Sequence, residues 1–373
     1  MSKKKKRERQ NNVDDANRSK PASSEKPQNV VVETSQSSVN ESKTSQSVPV
    51  STKPRSMTLI YLSIVATSLV VILACAYFLS SRKKSEQIPP KSFGYVTSCQ
   101  PAPQFLRSVG FGATSVLSTS ERNKPGLWIV ENPQNPNTRK YQHPSWKSAG
   151  YLAPIQRDKL GNVYVAPAPN INVLENPIEK QNTIYQVDGN SQQMSAFVDL
   201  PKNFAATVEN PYGALAMAYD CETNSLYASS VYGSSREREV GGIYKVDATT
   251  KTVTAILDNT DVFGLSVFNT QKTKRLYYGL GRKSEIWSLP LNEKGERSGE
   301  SRLEFSMEKL GTRGSDKARR IAFTPNGEML ISGVEFDFNL IAPTEKPETL
   351  YRFRYDKLKD IWEFVAEPPQ IVN

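Results

Sequence analysis

Hydropathy divides the chain into one unbroken apolar run and a long series of short alternating ones. The run Met57 to Leu79, MTLIYLSIVATSLVVILACAYFL, holds 23 residues without a charge, a proline or a glycine. A helix over it would be about 35 Å long, enough to cross a hydrocarbon core of about 30 Å. It is apolar all round and lies between polar segments that offer nothing to bury it. The pattern therefore predicts one transmembrane helix over 57–79. Signal-peptide apolar regions are shorter and are not preceded by 56 residues, so the helix reads as a signal-anchor that stays in the membrane.

From Ser92 onward helical periodicity gives way to strands separated by turns, which predicts an all-β domain. Two pieces recur. One is an apolar strand, a polar turn and a second strand. It occurs at Gly161–Val165, at Ala216–Asp220 with Asn224–Ala228, at Leu265–Asn269 with Lys274–Tyr278, and at Arg320–Gly327 with Glu328–Ile331. The other is a strand opened by an aliphatic-aromatic pair: Leu127-Trp128, Ile184-Tyr185, Ile243-Tyr244, Ile286-Trp287 and Leu350-Tyr351. Most copies are followed by a candidate outer strand, such as Ala196–Val198 or Thr252–Leu257. The pairs begin 57, 59, 43 and 64 residues apart. A four-stranded propeller blade needs about 40 to 50 residues, and longer loops account for the excess. The pattern predicts a β-propeller of five or six blades, a sixth being assembled from Ser92–Arg107 and pieces near the C-terminus. Trp128, Tyr185, Tyr244 and Trp287 read as packing between blades.

The chain therefore divides into a disordered basic tail (1–56), a transmembrane helix (57–79), a linker (80–91) and a propeller domain (92–373). The tail is rich in Ser, Asn, Gln, Lys and Pro and has no aromatic residue. Ile72-Leu73-Ala74-Cys75 is similar to a lipobox, but Leu73 is bulky for one and the apolar run continues past Cys75.

Net charge is +10, yet it is unevenly placed. The tail has 12 Lys/Arg against 6 Asp/Glu, and Arg82, Lys83 and Lys84 add three more positive charges. From Ser85 on, 33 basic residues meet 32 acidic ones. A near-neutral domain excludes nucleic acid as its natural partner. Lys3–Arg7 is a basic run suited to anionic lipid head groups, or simply a solvated tail. The near flanks alone would place the C-terminal side in the cytoplasm. The whole tail outweighs Arg82–Lys84, and large domains translocate largely regardless of charge, so the reading favours a cytoplasmic N-terminus and an extracytoplasmic domain in the cell membrane.

The three cysteines are Cys75, Cys99 and Cys221. Cys99 and Cys221 can pair in an oxidising compartment or stay as buried free thiols.

RIAFTPNGEMLI, Arg320 to Ile331, resembles the blade opening shared by NHL-type and gluconolactonase/strictosidine-synthase-type six-bladed propellers, and AYDCETNSLYAS, Ala218 to Ser229, is a looser copy. Asn326-Gly327 is a hairpin turn signal. Some strictosidine-synthase-like propellers also sit behind an N-terminal membrane helix, a layout this chain resembles. The gluconolactonase-type resemblance implies a divalent cation such as Ca²⁺ in the central channel, held by Glu, Asn and Asp oxygens. Glu175, Asn210, Asp261, Asp316 and Glu335 are the residues that come from different blades and could approach the axis. None lies in a motif that fixes it, so neither a metal ligand nor a catalytic residue is assigned.

His143, the single histidine, lies in the loop YQHPSW, which excludes multi-histidine metal sites and leaves a Ser-His-Asp triad without support. No Walker loop, Rossmann glycine pattern or CxxC is present. Arg313, Arg319 and Arg320 form a basic cluster that suits either an acidic ligand or solvent. The sequence thus leans away from an enzyme. It favours a membrane-anchored propeller that binds a protein or small ligand. A divalent-cation-dependent lactonase or related hydrolase is the alternative, and a structural component of an envelope assembly is a further one.

Overall fold

The computed structural model describes residues 92–96, 99–112, 114–119, 125–168, 176–206, 209–338, 347–365 and 370–372. The predicted tail (1–56), membrane helix (57–79) and linker (80–91) lie outside the described residues. Among those described, no helix is long and apolar enough to cross a membrane.

A two-residue strand, β1 (Gly94–Tyr95), and a short helix, α1 (Gln104–Ser108), come first. Five antiparallel sheets follow, and each is a blade. Blade 1 holds β2 (Val116–Ser118), β3 (Trp128–Val130) and β4 (Lys140–Tyr141). Blade 2 holds β5 (Leu152–Arg157), β6 (Val163–Pro167), β7 (Thr183–Val187) and β8 (Met194–Asp199). Blade 3 holds β9 (Ala214–Asp220), β10 (Ser225–Ser230), β11 (Gly242–Asp247) and β12 (Val253–Leu257). Blade 4 holds β13 (Val262–Asn269), β14 (Lys274–Leu280), β15 (Glu285–Leu291) and β16 (Arg302–Ser306). Blade 5 holds β17 (Lys317–Phe323), β18 (Glu328–Val334), β19 (Glu348–Asp356) and β20 (Ile361–Phe364), with β21 (Gln370–Val372) pairing the start of β19. The fold is an all-β propeller of five blades, and the inner strands β5, β9, β13 and β17 stand side by side.

The blade count corrects the six-blade expectation. Ser92–Arg107 does not build a further sheet. Instead β1 pairs the inner strand of blade 4, through Gly94 with Asn269 and Tyr95 with Phe268.

The five aliphatic-aromatic pairs mark equivalent places. Those of blades 2 to 5 open or lie within the third strand, and Leu127-Trp128 opens β3. Neighbouring residues on a strand point to opposite faces, so each pair serves two interfaces. Tyr185 packs with Leu127 between blades 1 and 2, and Ile184 with Tyr244 between blades 2 and 3. Ile243 packs with Trp287 between blades 3 and 4, and Ile286 with Tyr351 between blades 4 and 5. This double duty is why the pairs recur when the sequence between them does not. Strands covered on both faces lose the polar alternation of half-exposed ones. Accordingly β6 and β10 are buried at every position.

Third and fourth strands are joined by hairpins with a common chemistry. The Asp188 carboxylate accepts backbone N–H bonds from Asn190 and Ser191, and Asp247 accepts them from Thr249 and Thr250. These bonds hold both carboxyls below the usual aspartate range. Asp356 sits at the same place in blade 5 and is lowered first by the Lys359 ammonium. Four residues further on, Gln192, Lys251 and Asp360 take positive φ of 67°, 61° and 59°. The aspartate fixes the turn that lets the chain reverse there.

Candidate functional site

A propeller offers two places for chemistry, the two ends of its axis. Inner strands begin on one face, where the connections between second and third strands also lie. The hairpins between first and second strands lie on the opposite face. The first is called here the entry face and the second the hairpin face.

On the entry face an apolar cluster gathers from three blades. Tyr212 and Val231 come from blade 3, Phe263 from blade 4, and Val334, Phe336 and Phe338 from blade 5. Phe263 stacks on Phe336 with centroids 4.4 Å apart, and Tyr212 and Phe338 meet Phe336 edge-on. Phe336 and Phe338 follow β18 at alternate positions, and both rings enter the cluster.

The predicted oxygen ligands lie around this cluster, but they do not converge. Asn210 is buried and donates to the Val231 and Ser234 carbonyls at 2.8 Å each, while its own oxygen accepts from Tyr212 N–H. Asp261 is buried and accepts from Ser234 Oγ, Gly241 N–H and, at 2.8 Å, Arg282 Nε. Burial pushes its carboxyl up, against the opposing effect of Ser234 and Arg282. Asp316 receives both arms of Arg313, at 2.6 and 2.9 Å, and the Tyr351 hydroxyl at 2.8 Å. Glu335 is exposed, and Glu175 lies outside the described residues. Among the described residues no three His, Cys, Asp or Glu side chains come together as a metal would need. Two carboxylates already neutralised by arginine, and an amide with its groups spent, do not fit a hard cation. Asp261 and Asp316 instead fasten the starts of inner strands to their neighbours.

Arg282 is the organiser that sequence reasoning missed. Besides Asp261, it donates to the carbonyls of Ser235, Arg236 and Arg238 at 2.6, 2.9 and 2.8 Å. Its guanidinium also stands 5.2 Å from the Phe338 ring centre. One arginine thus ties the loop 234–241 of blade 3 to blade 4 and to the aromatic cluster, using the fixed fork of the guanidinium. No motif announces it, because its partners are mostly carbonyls.

The predicted basic cluster also dissolves. Arg313 is bound to Asp316 and Thr349, and Arg319 is bound to Glu348. Burial and the charge of Arg320 push Arg319 down to about 10. Arg320 alone of the three is exposed. His143 has a local role: its ring accepts from Ser145 N–H and caps the short turn Pro144–Lys147, which seats the buried Trp146.

The hairpin face is crossed by the segment Phe93–Phe111. The Phe93 ring meets Phe268 of blade 4 and Tyr355 of blade 5, and the Lys357 ammonium lies 4.3 Å from its centre. Gly327 makes room there: it has φ +77°, and a Cβ on it would stand 3.1 Å from the Phe93 ring. Val96 enters the core between blades 3 and 4, and its carbonyl accepts from Cys221 N–H. Cys99 is disulfide-bonded to Cys221 in the first hairpin of blade 3. Gln100 donates to the Arg157 carbonyl of blade 2. Phe105 and Leu106 of α1 then pack between blades 1 and 2, and Phe111 reaches Tyr141 of blade 1. The segment touches all five blades in turn.

The fold and its ends define a five-bladed propeller with an aromatic cluster of blades 3 to 5 on one face and the strap Phe93–Phe111 on the other. No family model matches the chain, and no curated protein matches it. Among solved structures it is similar to a calcium-binding protein, regucalcin, from Agrobacterium tumefaciens. The two are 10% identical over 74% of this chain and 77% of the other, with a TM-score of 0.41. It is also similar to a chain of a nidogen/laminin complex, 10% identical over 65% and 91% with a TM-score of 0.38. An ancestral GH74 enzyme is 11% identical over 65% and 30%, with a TM-score of 0.42. Likeness at this level carries no argument about ligand or reaction, and the fold rests on the five sheets themselves.

Proposed function

We propose that this chain is a single-pass membrane protein that displays its propeller outside the cytoplasm as a binding module for a protein or small ligand, with the basic tail inside. The observation that carries this reading is the entry face, where Tyr212, Phe263, Phe336 and Phe338 of three blades close into an aromatic cluster. Recognition then falls to the exposed loops and the rim. The apolar run 57–79 supports the anchor. The Cys99–Cys221 bond supports an oxidising compartment for the domain. No observation favours the hydrolase or the envelope-component reading over this one.

Protease added to the extracytoplasmic side of sealed vesicles carrying the full chain tests the proposal. The expected result is digestion of the domain 92–373 with the tail 1–56 protected. Digestion of the tail with the domain protected would reverse the orientation and remove the proposal.

A further inference from the structure

We propose that the side chains of Lys274 and Asp220 join in an amide bond, with Glu222 as the proton relay, and so link blades 3 and 4 covalently. The Lys274 ammonium, at the start of β14, stands 2.7 Å from Asp220 Oδ2 at the end of β9. It is also 2.8 Å from Glu222 Oε2 in the hairpin that follows β9. The lysine side chain is 8% exposed and that of Asp220 not at all. Taking these ions out of water is costly, whereas an amide in their place carries no charge. The surroundings are apolar. Lys274 lies opposite the buried Leu291 of β15, and the strap's Val96, whose carbonyl accepts from Cys221 N–H, is buried in the same core.

The atoms stand where the reaction needs them. An amine seated on a carboxyl oxygen is close to the approach of about 3 to 3.5 Å from which bonds form. Asp220 Oδ1 accepts the Glu222 backbone N–H at 3.0 Å, a donor that steadies the oxygen destined to be the amide carbonyl. Oδ2, which also accepts from Thr223 Oγ at 2.8 Å, is the oxygen that leaves. Glu222 takes one proton from the ammonium, the freed amine attacks Asp220 Cγ, and Glu222 passes the proton to the departing oxygen. Of the three ammonium protons, one stays on the amide nitrogen and two leave with Oδ2 as water. One C–O bond breaks, one C–N bond forms, and nothing is oxidised or reduced.

Asn269 of β13 points to the same site independently. It is wholly buried and stands opposite Lys274 in the ladder of β13 and β14. Its Nδ2 donates to Glu222 Oε1 at 3.1 Å, which orients the relay, while its Oδ1 has no hydrogen-bond partner among the described residues. A buried acceptor without a donor is costly, and the N–H of the new amide brings a donor to it. Cys221, next to Asp220, carries the bond to Cys99. The first hairpin of blade 3 is then tied covalently to the strap on one side and to blade 4 on the other.

The test is mass spectrometry of the full chain after reduction, denaturation and digestion. The expected result is one branched peptide that unites Asp220 with Lys274 and is lighter by one water than its two parts. Separate Asp220 and Lys274 peptides at full mass would overturn the proposal and leave an ordinary ion pair. Loss of ammonia with the branch at Asn269 would also overturn it. Lys274→Arg keeps the charge without the amine, and its Asp220 peptide should have full mass; water still missing there would mean another cyclisation and overturn the proposal. Glu222→Gln should leave most chains unbranched, and complete branching in that variant would overturn the relay. The wild-type digest decides on the bond even where a variant does not fold.

Discussion

Replacing both Cys99 and Cys221 with serine is expected to lower the stability of the propeller by about 4 to 5 kcal/mol. The bond spans a sequence separation of 122 residues, and the entropy removed from the unfolded chain grows with the logarithm of the loop it closes. For a domain of this size the loss corresponds to a fall of roughly 10 °C or more in Tm. The bond also sits where Asp220 and Glu222, on either side of Cys221, both meet the buried Lys274 ammonium of blade 4, at 2.7 and 2.8 Å. The hairpin that receives the strap is therefore fixed to the next blade. Urea titration of the oxidised chain against the double variant measures the loss. An unchanged midpoint would mean that Phe93, β1 and Phe105 hold the strap without help.

The second large effect is expected at Arg282. Its replacement by alanine leaves the wholly buried Asp261 without its cation and takes a donor from the carbonyls of Ser235, Arg236 and Arg238, the last of which keeps the Ser235 N–H. Breaking a buried pair from one side costs about 3 to 5 kcal/mol, because the remaining charge stays buried and unpaired. Burial already raises the Asp261 carboxyl above its ordinary value, and loss of Arg282 removes an opposing influence. The cost is therefore full above the folded-state pKa of Asp261 and shrinks as pH falls through it, since a protonated carboxyl needs no cation. Arg282→Lys keeps the charge but not the fork, and it should recover only part of the loss. Thermal unfolding from neutral to mildly acidic pH checks both points. A loss that does not change with pH would mean that the carbonyl contacts, not Asp261, dominate.

The blades were legible because they repeat. Ile184-Tyr185, Ile243-Tyr244 and Ile286-Trp287 recur since each must fill the joint on both sides of its own strand, and a requirement met several times leaves a period in the sequence. The strap was not legible, because it occurs once and pairs through two residues with a strand more than a hundred and fifty positions away. Ser92–Arg107 therefore read as part of a sixth blade. The candidate ligands were half legible. Asn210, Asp261 and Asp316 do precede inner strands on one face, as residues from different blades near an axis should. What the sequence hid was their neighbours: Arg282 and Arg313 consume the carboxylates, and the loop VEFDFN offers its rings, not Glu335, to the apolar cluster. The alternating Phe336 and Phe338 were the signal available for that.

The central proposal is a propeller whose strap is fixed to blade 3 by the Cys99–Cys221 bond and which is displayed where disulfides persist. Counting free thiols on the full chain, denatured under quenched conditions straight from the cells that make it, tests this most directly. Of the three cysteines, only Cys75 should react before reduction, and all three should react after it. Three reactive thiols before reduction would contradict both the covalent strap and the proposed extracytoplasmic display.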